Sequence, residues 1–185
     1  MQSGRAFVFI NYLQALKFGH VGWGFAVGAD TFVYGSADHL LKRPYYDLIA
    51  LLKYSYVEPG GDIDFWSGRG SYQDMLAEMS QGQHIYYHAF KEITVSEPRI
   101  EAAAALVEST GRGGWALLGN NCVNQAGRIL STYGAEPDKL PQRGLIPRRW
   151  FKSIAAEEKL LRPRQGLKSE CGARAGAKSE LQANS

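Results

Sequence analysis

The stretch 115–134 reads WALLGNNCVNQAGRILSTYG, and its second half is the most legible helix in the chain. Val123, Ala126, Ile129, Leu130 and Tyr133 recur at helical spacing and share one face. Gly134 then offers a C-terminal stop, because glycine accepts the left-handed conformation that ends helices. Asn120 and Asn121 stand just before this pattern, and asparagine is a preferred N-cap. The reading therefore places Cys122 in the first turn. Unpaired backbone N–H groups and the positive end of the helix dipole favour a thiolate there. The same N–H groups suit a developing oxyanion. A small buried hydrophobe at a helix start is the inert alternative. Either way, a helix with one apolar face needs a surface to bury it against.

That surface is legible upstream. AFVFINYL at 6–13 is apolar and rich in strand formers. HVGWGFAV at 20–27 alternates, with Val21, Trp23, Phe25 and Val27 on one side and His20, Gly22, Gly24 and Ala26 on the other. Gly28-Ala-Asp30 marks a turn, and 31–38 is the returning strand of a hairpin. Residues 44–55 read as a helix after Pro44, VEPGG at 57–61 as a turn, and DIDFW as the start of a strand. SYQDMLAEMSQG at 71–82 opens on a capping-box pattern of Ser71 and Asp74. Residues 83–95 read as a strand, 96–110 as a helix, 137–147 as an irregular return, and RRWFKSIAAEEKLL as closing on a short helix. The implied fold is α+β, an antiparallel sheet with a Cys-bearing helix packed on it. Residues 1–160 form the domain and 161–185 a disordered basic tail rich in Gly, Ala, Ser, Lys and Glu.

Charge supports this division. The chain has 185 residues and a formal charge of +3. Through residue 159 there are 16 Lys and Arg against 16 Asp and Glu; from Leu160 onward, 5 against 2, so the excess lies in the last stretch. A neutral domain lacks the basic face that nucleic acid requires. Two cysteines, Cys122 and Cys171, do not make a disulfide framework, which points to a reducing compartment. The first residues lack a signal-peptide pattern, and no apolar run approaches the ~20 residues of a membrane span. The expected location is the cytoplasm, with export as an effector still open.

A nucleophilic thiol needs a base, and the histidines are His20, His39, His84 and His88. Only small residues share His20's side of its strand, so another element can approach closely there. A helix start carrying Cys122 could lie against it. His84 and His88 would stand about 13 Å apart along one strand, too far to share a metal, and Cys122 has no CxxC partner, so neither metal nor cofactor is expected. If the turn spans three residues with Val27 opposite Thr31, partners sum to 58 and His20 faces Asp38. A carboxylate there would hold the imidazole tautomer; a one-residue slip would substitute Ala37 or His39.

Trp115 to Cys122, running into a helix that ends at Tyr133-Gly134, resembles the Asn-Cys helix of the circularly permuted papain-like NlpC/P60 superfamily, whose best-known members are the lecithin:retinol acyltransferase-like proteins. His20-Val-Gly-Trp-Gly-Phe-Ala-Val followed by Thr31-Phe-Val-Tyr-Gly-Ser is similar to its histidine strand and the strand after it. The order, His before Cys, fits the permuted branch. The resemblance implies a papain-like fold and a thiol hydrolase or acyltransferase acting on an amide or ester through an acyl-enzyme. Cys122 would be nucleophile and His20 base and then acid. It also puts Tyr34 where an imidazole-orienting His, Asn or Gln is commoner, a departure that leaves Asp38 and Tyr34 both open. A peptide, lipid or cell-wall acyl group is the implied substrate. Two rivals stand beside it: a non-catalytic binding module with a packed cysteine, and a redox-sensing thiol.

Overall fold

The computed structural model describes residues 3–39, 56–61, 63–81, 86–141 and 144–161. In chain order these form β1 (Gly4–Asn11), β2 (His20–Gly28), β3 (Thr31–His39), β4 (Ile63–Gly70), α1 (Tyr72–Gln81), β5 (Ala89–Val95), α2 (Ile100–Gly111), α3 (Cys122–Tyr133), α4 (Pro147–Ser153) and β6 (Glu158–Leu160). The strands make one antiparallel sheet of six in the order β4-β3-β2-β1-β5-β6. The chain is thus mixed α+β. The helix read at 44–55 and the histidine at 84 lie outside the described residues.

β1 explains why its sequence is apolar without interruption. Ala6, Val8 and Ile10 point to one side of the sheet and Phe7 and Phe9 to the other, and all are fully buried. A strand covered on both faces has no polar side to display. On the first side, Val21, Trp23 and Phe25 of β2 meet the apolar stripe of α3, together with Ala103 and Val107 of α2 and Trp150 and Phe151 of α4. On the second, Phe32 and Tyr34 of β3 pack with Met75 and Met79 of α1. α1 begins at a reciprocal cap: Asp74 N–H donates to Ser71 Oγ at 3.2 Å, and Ser71 N–H donates to Asp74 Oδ2 at 2.9 Å.

The small-residue side of β2 receives α1 rather than the cysteine helix. A Cβ on Gly22 would lie 2.5 Å from Met79 Cε, and one on Gly24 2.9 Å from Met75 Sδ. The two methionines fill the space that glycine leaves, and α3 takes the opposite side, where the large side chains are. Flexible thioethers suit such a slot. The close approach that these small residues permit is made by the methionine helix and not by the cysteine helix.

The hairpin register agrees with the sum of 58 from Ala26↔Phe32 to Trp23↔Gly35, although the turn differs. Gly28 pairs with Thr31, which leaves a two-residue turn and a bulge at the hairpin end. Two further boundaries move. The strand read at 83–95 begins at Ala89, and Tyr87 joins the α1-side core while Ala89 joins the α3-side core, so the two do not share a face. The segment read as a closing helix stops at Ser153, and Glu158–Leu160 pairs with β5 instead. Leu161, assigned to the tail, is buried and donates its N–H to His88 O at 2.9 Å. Residues 162–185 lie outside the described residues.

Candidate functional site

α3 starts where Asn121 caps it. The Asn121 Oδ1 accepts from Val123 N–H at 3.0 Å and Asn124 N–H at 3.1 Å, and Asn124 Oδ1 accepts from Asn121 N–H at 3.2 Å. The preceding loop is braced against the same helix. Gln125 Nε2 donates to Gly114 O and Asn120 O, Asn120 Nδ2 to Gly114 O, and Asn121 Nδ2 to Leu117 O. Each of these uses an amide that the sequence places within one turn of Cys122. The result is a thiol held on a stiff helix start rather than on a loose loop.

Cys122 and His20 meet at the end of β2 from opposite sides. Cys122 belongs to the α3-side core, yet its thiol is hydrogen-bonded by the His20 side chain and by the backbone N–H groups of Val21 and Val123. His20 sits at the first position of β2, and its ring lies 6.1 Å from that of Tyr87, a member of the α1-side core. Burial pushes the Cys122 thiol up; the His20 charge, the His20 hydrogen bond and the two backbone N–H groups outweigh it and hold the thiol below its ordinary value.

The far side of the imidazole is held by Ser36. His20 Nε2 and Ser36 Oγ are 2.8 Å apart, and Ser36 Oγ donates its own proton to Val21 O at 3.1 Å. A hydroxyl has one proton; with that proton on Val21 O, Ser36 accepts from Nε2–H. The ring is thereby placed in the tautomer that leaves Nδ1 free of a proton. Nδ1 is the nitrogen able to take one from the thiol. Both Ser36 and His20 are buried, which keeps this short chain of contacts out of bulk water.

Of the two orienters left open, the register disposes of one. Tyr34 pairs with Gly24, four residues from His20 and so about 13 Å along the strand, and it packs edge-on against Trp66. Asp38 continues β3 opposite Asp64 of β4; its side chain lies outside the described residues. Ser36 escaped the pairing argument because it is a diagonal neighbour of His20, not the directly opposite one. The signal for it was a small hydroxyl residue two positions from Asp38 on the same strand face. His88 is committed elsewhere: its Nδ1 accepts Tyr12 N–H at 3.1 Å, and burial lowers its pKa.

A cleft of about 320 Å³ opens beside this pair, and both Cys122 and His20 line it. Its remaining walls are largely apolar, from Phe18, Trp115, Leu117, Leu118, Leu145 and Ile146. The loop before β2, the loop before α3 and the approach to α4 each contribute, tied in part by Arg148 N–H donating to Phe18 O at 2.9 Å. Trp115 is positioned by mutual backbone bonds with Val57 at 2.7 and 2.8 Å. Comparison with family models, with curated proteins and with solved structures finds no match to this chain.

Proposed function

We propose that this chain is a papain-like thiol enzyme of the permuted type, which hydrolyses or transfers an acyl group held in an amide or ester bond. The observation that carries the reading is the ordered line Cys122–His20–Ser36 at the floor of an apolar cleft. Cys122 gives its proton to His20 Nδ1, and the thiolate attacks the acyl carbonyl. Backbone N–H groups at the head of α3 hold the oxyanion. Collapse of the tetrahedral intermediate expels an amine or alcohol, which takes the proton back from His20 and leaves a thioester on Cys122. Water, or an acceptor hydroxyl or amine, then gives a proton to His20 and attacks the thioester, restoring the thiol. Ser36 keeps the imidazole in the useful tautomer and is a positioning residue. The cleft walls favour a substrate whose acyl part is apolar.

The test is the pH dependence of Cys122 alkylation by iodoacetamide in wild type and in His20→Ala. Wild type should show a thiolate pKa below that of a free cysteine, rising in His20→Ala, because only the two backbone N–H groups then oppose burial. A depressed pKa indifferent to His20 favours a redox thiol, and an unreactive thiol favours a binding module; either result overturns the proposal. Steady-state turnover of any substrate found should fall by about 10²–10⁴ in His20→Ala.

A further inference from the structure

Large apolar side chains at the mouth of the cleft remain exposed to solvent. Leu118 is 74%, Leu145 58% and Phe18 44% exposed, and all three line the cleft. Leu13, 64% exposed, stands just before the turn whose Ala15 lines it too. Large aliphatic side chains gathered around one opening differ from the scattered exposed leucines of ordinary surfaces. The backbone there is strained as well: Ala15 and Lys17, both non-glycine, hold φ of 49° and 68°. Strain of that kind is retained where the surrounding structure needs the segment in place.

The segments that line this opening also carry basic residues. The segments 12–20, 112–122 and 144–153, which frame the cleft, contain Lys17, Arg112, Arg148, Arg149 and Lys152 and no Asp or Glu. All five cations are exposed. The neutral balance of the domain is made up elsewhere.

The geometry points to a peripheral docking surface for an anionic phospholipid bilayer, with the leucines and Phe18 entering the acyl region and the basic residues meeting the headgroups. Protruding aliphatic side chains gain by entering a fluid apolar layer without needing a matched pocket. Lysine and arginine beside them are drawn to anionic headgroups. A second copy of the chain is a poorer occupant, since two such faces would bring cations against cations. Docking in this way would seat the open cleft against the lipid surface. The inference goes beyond the thiol chemistry and does not require it.

The experiment is co-sedimentation of the full chain, carried as Cys122→Ala so that nothing turns over, with phosphatidylcholine vesicles and with mixed phosphatidylcholine–phosphatidylglycerol vesicles. Binding to the mixed vesicles and weaker binding to phosphatidylcholine alone are expected. Leu118→Asp with Leu145→Asp should weaken binding by about tenfold or more. Lys17→Glu with Arg149→Glu should weaken binding to the anionic vesicles by about fivefold for each charge removed. Circular dichroism melts check that the variants are folded; the charge pair, at exposed positions, carries the test if the leucine pair is not. No vesicle binding overturns the proposal, as does binding that neither pair alters, which would place it in another basic segment. Concentration-dependent dimerisation abolished by the leucine pair would assign the face to a second copy. Failure here leaves the alkylation test untouched, and the reverse.

Discussion

The two sides of β2 solve the same packing problem in opposite ways. On one, Val21, Trp23 and Phe25 supply bulk and α3 lies over them. On the other, Gly22 and Gly24 supply none, and Met75 and Met79 of α1 reach in to fill the gap. Strand alternation sorts His20 to the glycine side and leaves Cys122 on the bulky side. The two can meet only where β2 begins and there is no further strand to separate them. A pair that meets across a sheet end has a practical consequence: either core can be altered while the other partner's placement is preserved.

The largest disturbance should come from the bulky side. Ile129→Ala removes a fully buried side chain of α3, and a loss of about 2–5 kcal/mol in denaturant-derived stability is expected. The thiol should become less reactive as the helix loosens. On the glycine side, Gly22→Val overfills the slot and should cost about 1–3 kcal/mol, because Met79 can swing only partly aside. If Gly22→Val destabilises more than Ile129→Ala, the picture of a flexible methionine filling is wrong. At the strand end that joins the two sides, Ser36→Ala strands a buried imidazole N–H and should cost about 1–3 kcal/mol. Its telling readout is the pH profile of Cys122 alkylation, which should shift, while Ser36→Thr restores it.

The smallest effect concerns the outer margin of the α1-side core. Arg5 stacks over Phe7, Phe32 and Tyr72 and pairs with Glu92 at 2.6 Å, and Lys159 pairs with the same carboxylate at 3.0 Å. Burial alone would raise the Glu92 carboxyl, but the two cations hold it below its ordinary range. A carboxyl lowered by folding stabilises above its unfolded pKa and loses that contribution as pH falls through the folded value. Glu92→Gln should therefore flatten the acid limb of a stability–pH curve by less than about 1 kcal/mol, since the groups are partly exposed.

Much of this was legible because it was local. The face of α3, its Asn121 cap and its Gly134 stop all lie within one contiguous stretch, and helix ends are decided by their nearest residues. The hairpin register could be read from its turn, even with the loop length one residue off, because the bulge at the hairpin end compensates. Legibility failed where one pattern serves two purposes. A Gly-x-Gly strand announces close contact without saying with whom, and both the cysteine helix and the methionine helix were the right size. The string from Arg148 to Leu161 carries helical composition throughout, yet its end pairs with β5 because that edge had free backbone groups to satisfy.

From the sequence alone came the cysteine-bearing helix start, the histidine at the head of an alternating strand, and an antiparallel sheet with the cysteine helix packed on it. These depend on spacing and on residues near one another in the chain. Tertiary structure alone decided which helix each face of β2 receives, that Ser36, a diagonal neighbour, bonds the imidazole, and that loops from three distant segments enclose an apolar cleft over the thiol. Those outcomes follow from which surfaces meet in space. A linear pattern records what each surface offers and leaves its partner unspecified.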